Sequence, residues 1–160
     1  MIETERLVIR PPTDDERAAM LALWFDPASE RVPPDVASEQ VRAWVDAVAW
    51  GVWERETGEL VGDCGLFFDE GHGEWELAYG FRRDRWGRGY ATEVARACVR
   101  HGFEELGLEK IVADVDPANP ASVRVLEHCG FENAGQQADG KLLYAVTRSS
   151  ARARAARGGA

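Results

Sequence analysis

The run Trp86-Gly87-Arg88-Gly89-Tyr90-Ala91-Thr92-Glu93 constrains the fold of this chain more than any other segment. It joins a strand-like stretch at 75–81 to a strongly periodic helix that begins near Tyr90. Ala91, Val94, Ala95, Cys98, Val99, Gly102, Phe103 and Leu106 recur at helical spacing, and Gly107 closes the pattern. Two glycines at the junction let the backbone turn sharply and let a ligand approach it closely. The first N–H groups of a helix have no partner inside it, and the helix dipole adds positive character there. Such a junction predicts an anion site, with phosphate as the usual guest.

The flanking segments predict a mixed α/β fold. Leu7-Val8-Ile9-Arg10 reads as a strand closed by Pro11-Pro12. Thr13, Asp14 and Asp15 supply N-capping chemistry for a helix through about Trp24, Pro27 ends it, and Pro33-Pro34 marks a loop. A second helix from near Ser38 carries the apolar stripe Val41, Trp44, Val45 and Val48. Residues 51–56 and 59–69 read as a hairpin around Thr57-Gly58, and 74–81 adds a third strand after Gly71-His72-Gly73. Beyond the central helix, 110–116 is a buried strand, and Asn119 or Pro120 starts a helix that Gly130 ends. Residues 132–138 and 141–148 form a final hairpin around Asp139-Gly140. The expectation is a mostly antiparallel, twisted sheet of about seven strands with helices on both faces, one domain over 1–148. Residues 149–160, rich in Ala, Arg and Gly, read as a disordered basic tail.

The charge narrows the partners. The chain of 160 residues carries −9, and the three arginines of the tail leave −12 on residues 1–149. That balance argues against nucleic acid and for a cationic substrate, although an acidic surface also serves solubility. Cys64, Cys98 and Cys129 form neither a CxxC pair nor an even disulfide set, which fits a reducing cytoplasm. No run resembles a signal peptide or approaches a membrane span, so no membrane role is expected. His72, His101 and His128 show no ligand spacing with the cysteines, so no metal is expected.

Two further groups carry chemistry. Asn119 and Ser122 share a face at a helix start, where Asn119 serves either as an N-cap or as a polar ligand contact. Glu74 and Glu76 alternate onto one face of a strand. Paired carboxylates raise one another's pKa and attract a cation; the plainer reading is a solvated face or a salt-bridge partner. The glycine loop itself departs from other phosphate motifs. A dinucleotide fingerprint would need a small residue where Thr92 stands, and a Walker loop would need a Gly-Lys-Ser/Thr ending.

Taken in order, Thr4-Glu5-Arg6-Leu7-Val8-Ile9-Arg10, Gly58-Glu59-Leu60-Val61-Gly62, Glu76-Leu77-Ala78-Tyr79, the glycine loop, Asn119-Pro120-Ala121-Ser122 and Glu127-His128-Cys129-Gly130-Phe131 resemble the GNAT superfamily of acyl-CoA-dependent N-acyltransferases. Within it they resemble the RimJ/RimL-like branch, and the resemblance covers residues 3–148. It implies acetyl-CoA as co-substrate, with the amides of Gly87, Arg88, Gly89, Tyr90, Ala91 and Thr92 on its pyrophosphate. Phe81, Arg82 and Arg83 would flank the pantetheine arm, Asn119 would contact it, and His128 would stand near the phosphorylated ribose. The strand ending at Phe81 would splay from the 110–116 strand. Trp86 stands where the wider superfamily has Gln or Arg, as is usual in this branch. Many members carry a tyrosine as general acid where this chain has Leu126, which leaves Ser122 as the candidate proton donor and Tyr144 as a weaker one. An ammonium has no lone pair, so attack on a thioester needs a base, and Glu76 is the candidate. The implied acceptor is a cationic primary amine, either a protein N-terminal α-amine or a small amine, and a homodimer is compatible. A non-catalytic acyl-CoA-binding module is the alternative.

Overall fold

The computed structural model describes residues 1–25 and 38–158. The elements run β1 Ile2–Glu3, β2 Leu7–Arg10, α1 Asp14–Phe25, α2 Ser38–Ala47, β3 Trp50–Glu54, β4 Leu60–Asp69 and β5 Glu74–Phe81. A short 3-10 turn, Arg83–Arg85, leads to α3 Tyr90–Glu104. Then follow β6 Lys110–Val115, α4 Pro120–His128, β7 Glu132–Gln136, β8 Leu142–Thr147 and α5 Arg148–Gly158. The strands form one sheet of eight in the order β1-β2-β3-β4-β5-β6-β8-β7. The expected mixed α/β architecture is present; the strand beyond the predicted seven is the two-residue β1, too short to leave a period in the sequence. β1 with β2, β2 with β3, β3 with β4, β6 with β8 and β7 with β8 pair antiparallel, whereas β5 with β6 is parallel with Glu76 opposite Val112. Pro27, expected to end α1, and the loop predicted around Pro33-Pro34 lie outside the described residues.

The described chain divides into two compact units. The first comprises Met1–Gly65 and Tyr79–Val94. In it Leu7 and Ile9 alternate inward on β2, as period two requires, and are fully buried. Met20, Val45 and Ala49 pack with Leu21, Trp24, Trp44 and Leu60, joining α1 to α2 through their apolar stripes. Asp63 is buried on β4, and its Oδ2 accepts from both indoles, Trp24 Nε1 and Trp44 Nε1, so the polar tips of two bulky residues are satisfied in the core. Gly62 has no room for a side chain: a Cβ there would lie 2.4 Å from the Gly80 carbonyl oxygen and 2.7 Å from the Phe81 ring. Gly62→Ala is therefore expected to destabilise the chain by about 1–3 kcal/mol in a denaturant titration; an unchanged midpoint would show that β4 yields freely there.

The second unit comprises Leu66–Ala78 and Ala95–Ala160. Ile111, Val112 and Ala113 are buried in succession on β6, as a strand covered on both faces demands. Val94, Ala95, Cys98 and Val99 bear out the predicted inward stripe of α3, whereas Leu106, placed on that stripe by spacing, is exposed beyond the end of the helix. The segment expected to be a disordered tail is instead helical. Ser150 N donates to Thr147 Oγ1 and Thr147 N to Ser150 Oγ, both at 3.2 Å, a reciprocal cap at the start of α5. Alanine and arginine then propagate the helix on intrinsic preference. It buries no residue, so no apolar period marked it in the sequence.

Candidate active site

The junction between β5 and α3 lies in the first unit and has the form the glycines required. Gly87 and Gly89 take φ of 77° and 81°, which L side chains rarely adopt. Glu93 N closes the first turn of α3 on Gly89 O at 3.1 Å. The N–H groups of Gly87, Arg88, Gly89, Tyr90 and Ala91 donate to no group among the described residues. Gly87, Arg88 and Gly89 are exposed, and a Cβ on Gly87 would meet nothing within 4 Å. Five unclaimed donors around open space at a helix start fit a diphosphate.

A network of side chains holds this loop. Tyr90 is buried, and its hydroxyl donates to Glu54 Oε1 at 2.6 Å. That bond and one from Thr57 Oγ1 keep the Glu54 carboxyl below its usual range against the effect of burial, helped by Arg85 and Arg88 at 3.4 and 3.6 Å. The same bond raises the Tyr90 phenol. Arg85 also pairs with Glu59 and with Asp84. Trp86 Nε1 donates to Phe81 O at 3.0 Å. The Phe81 ring is itself buried, with its centroid 6.3 Å from that of Tyr90, so this side chain is core; only its backbone remains for the pantetheine role that the resemblance implied. Arg82 donates to Asp84 Oδ2 at 2.7 Å, and the Arg83 guanidinium lies 5.7 Å from the centre of the Trp86 ring.

Sequence reasoning missed the residues that brace the loop from the N-terminus. Arg6 donates through Nε to Glu93 Oε2 at 2.8 Å, with Nη2 at the same distance from that oxygen, and through its own N–H to Glu93 Oε1 at 2.8 Å. Its Nη1 donates to Arg88 O at 2.7 Å, and the guanidinium sits 4.6 Å over the Tyr90 ring. Thr4 Oγ1 adds a bond of 2.5 Å to Glu93 Oε1. Burial alone would raise the Glu93 carboxyl; the bonds from Thr4 and Arg6 outweigh it and hold Glu93 ionised. The available signal was an acidic side chain in the first turn of a helix built for an anion, which needs a neutralising partner.

Glu76 belongs to the second unit and sits on β5 among groups from β4, the β4–β5 turn and β6. Its residue is 7% exposed, and its buried Oε2 has no hydrogen-bond partner. His72 Nε2 stands 3.6 Å from that oxygen and 3.4 Å from Asp114 Oδ1, which also accepts from Gln137 Nε2 at 2.6 Å. Asp69 Oδ1 accepts the N–H groups of Gly71 and His72, at 2.7 and 3.2 Å, which fixes the turn. Burial first, then the charges of Asp114 and Asp69, push the Glu76 carboxyl up to about 7; His72 opposes them. The predicted pairing with Glu74 is corrected here. Glu74 accepts from Lys110 Nζ at 3.0 Å, so the cation opposite it on β6 takes that charge, and the carboxylates that act on Glu76 come from other strands. Asp69, His72 and Glu76 place ligating atoms within 4.8 Å of one another, a donor set suited to a cation.

Asn119 is the N-cap of α4, and its Oδ1 accepts from Ser122 N at 3.2 Å, so its carbonyl oxygen does structural work. Ser122 is half-buried in the first turn of that helix. Leu126 is 1% exposed and is a core residue, which removes position 126 from proton transfer. Tyr144 is a buried residue whose hydroxyl donates to Glu127 Oε1 at 3.5 Å. His128 is exposed at the end of α4.

Comparison with known proteins decides the family. Residues 6–132 match the family described as an acetyltransferase (GNAT) domain. The chain belongs to the GNAT acetyltransferases. Its relatives include the Bacillus subtilis protein YkkB, 34% identical over 148 residues that span 80% of this chain and 83% of that one. Another is the B. subtilis "uncharacterized N-acetyltransferase YoaA", 31% identical over 149 residues and 84% of each chain. Among solved structures, a GNAT-family acetyltransferase from Bacillus anthracis superposes with a TM-score of 0.78 at 26% identity, covering 92% of this chain and 98% of that one. In this GNAT chain Gly87 and Gly89 of the cradle take positive φ, and position 126 is a core leucine with no titratable group.

Proposed function

We propose that this GNAT enzyme transfers an acetyl group from acetyl-CoA to a cationic primary amine in a ternary complex, and that it falls in the RimJ/RimL-like branch. The five unclaimed N–H groups from Gly87 to Ala91 carry the reading, because they match the donors a diphosphate needs and no described residue accepts from them. The name of one Aspergillus fumigatus relative, FsC-acetyl coenzyme A-N(2)-transacetylase, points to the same donor; it is 48% identical over 84 residues, 44% of this chain and 35% of that one. The branch assignment rests on the run from Trp86 to Glu93 and on Asn119-Pro120-Ala121-Ser122 with Gly130-Phe131. Free cysteines throughout accord with a cytoplasmic enzyme, and no described helix is long and apolar enough to cross a membrane.

The carboxylates of Asp69, Glu76 and Asp114 draw in an ammonium, and Glu76, with its carboxyl near neutrality, takes one proton from it. The freed nitrogen attacks the thioester carbonyl. A C–N bond forms and a backbone N–H of β5 stabilises the oxyanion; as the C–S bond breaks, Ser122 passes its hydroxyl proton to the thiolate and takes the surplus proton of the acylated nitrogen, which leaves a neutral amide and a neutral serine. Ser122→Ala is expected to lower kcat by about three- to tenfold, since a thiolate is a fair leaving group without an acid. Undiminished turnover would take Ser122 out of the mechanism. The whole reading is tested by calorimetry with acetyl-CoA followed by free-thiol release against a panel of amines. Micromolar binding with thiol release on at least one amine is expected. Binding without release on any amine would leave a binding module instead, and absence of binding would overturn the cradle.

A further inference from the structure

The second unit carries a groove of about 840 Å³ between α3, the end of α4 and α5. Five arginines line it: Arg96 and Arg100 from α3, and Arg148, Arg152 and Arg154 from α5. Glu104 is the one carboxylate on its walls. The floor is apolar, with Val99 and Phe103 buried beneath, and Ala151 and Ala155 keep the α5 wall low. None of these residues belongs to the glycine loop or to the carboxylate cluster around Glu76.

Only Arg148 of the five has a carboxylate partner among the described residues. Arg148 is anchored: its Nη2 donates to Phe103 O at 2.9 Å, its Nη1 lies 3.2 Å from Glu109 Oε1, and its buried Nε has no acceptor. Arg96 reaches the His128 carbonyl at 3.4 Å. Arg154 lies along Gly130, where a Cβ would come within 3.1 Å of its Cδ. Arg96, Arg100, Arg152 and Arg154 form no ion pair among the described residues. Gathering these charges costs repulsion in a chain whose net charge is −9. An anion in the groove supplies the missing counter-charge. Guanidinium forks favour the planar, multi-oxygen geometry of phosphate.

We infer that this arginine-lined groove binds a compact ligand bearing several phosphate groups. Its volume falls within the range of small-molecule sites, roughly 300–1,000 Å³. The strongly acidic remainder of the chain opposes a long polyanion that would run past the groove, which favours a small ligand over nucleic acid. His128, which the resemblance places near the phosphorylated ribose of CoA, also lines the groove; the ligand inferred is a free polyphosphorylated molecule other than CoA, and the test separates the two.

The test is direct binding to the full chain, which needs no turnover and so stands apart from the acetyltransferase reading. Inorganic tripolyphosphate, CoA, dephospho-CoA and a short single-stranded RNA are titrated at about 50 and about 200 mM salt. The variant is Arg100→Ala/Arg152→Ala; both side chains are exposed, and circular dichroism checks the fold. Arg154→Gln serves as a second, single change. Tripolyphosphate is expected to bind, more weakly at the higher salt, with Kd raised about tenfold or more in the double variant. If CoA leaves tripolyphosphate bound, the ligand is a separate one. If CoA displaces it, with or without dephospho-CoA doing so, the bound phosphates occupy the cofactor's own site and the proposal is overturned. Equal binding by wild type and both variants overturns the proposal. RNA binding that is tighter than tripolyphosphate and lost in the variants overturns it in favour of a nucleic-acid surface.

Discussion

Glu76→Gln is expected to lower kcat by about 10²- to 10⁴-fold while acetyl-CoA binding is kept, because the amide fills the same space and cannot accept the ammonium proton. The pH profile should change with it. In the wild type, kcat/KM should rise through a midpoint near the Glu76 value of about 7 and level off above it, since the ionised form is the base. In the variant that limb should vanish. Stability gives an independent reading with the opposite sign. The carboxyl titrates at an ordinary 4.5 when unfolded and at about 7 in the native chain, so the native state holds the extra proton between those values. The stability tied to Glu76 is therefore fully present below 4.5 and is lost as pH rises through 7. Glu76→Gln should remove that decline and be the more stable protein at pH 8. Full activity in the variant with an unaltered profile would assign the base to another group.

Arg6→Ala should raise the Kd for acetyl-CoA by about ten- to fiftyfold with kcat largely retained. Arg6 joins the Glu93 carboxylate, the Arg88 carbonyl and the face of Tyr90, so it fixes the loop and neutralises an acid that stands in the first turn of α3. Solvent screening at a partly exposed guanidinium limits each contribution, and the larger loss comes from leaving Glu93 bare beside a diphosphate. Adding Glu93→Gln to Arg6→Ala should therefore recover part of the affinity, the non-additivity expected of residues in contact. If the double variant binds no better than Arg6→Ala, charge neutralisation is not what Arg6 supplies. Thermal midpoints of the two variants separate a general loss of structure from a loss confined to the loop.

What could be read from the residues followed how local the physics was. The cradle was legible because its requirements are local: positive φ at Gly87 and Gly89, a helix start, and no competing acceptor. The inward stripe of α3 and the strand–turn pattern of β3 to β5 were legible for the same reason, since period and turn chemistry fix them. The partners of Glu76 were not. Asp69, His72 and Asp114 come from a turn and two strands that only the folded sheet brings together, so the sequence offered the neighbour two residues away, Glu74, which pairs with Lys110. Arg6 and Glu93 are separated by 87 residues, and no local rule joins them. The final helix escaped because it buries nothing: alanine and arginine set its conformation through propensity alone, a signal that composition also attributes to tails.

The three cysteines bear on how the enzyme can be followed. Cys64 and Cys98 are buried, and burial pushes the half-buried Cys129 thiol up to about 11 although Arg96 and Arg154 oppose it. At neutral pH Cys129 thus offers a colorimetric thiol reagent almost no thiolate, and burial keeps Cys64 and Cys98 out of its reach. A continuous readout of released CoA should start from a flat baseline, and slow reagent uptake in its absence would time the opening of the protein itself.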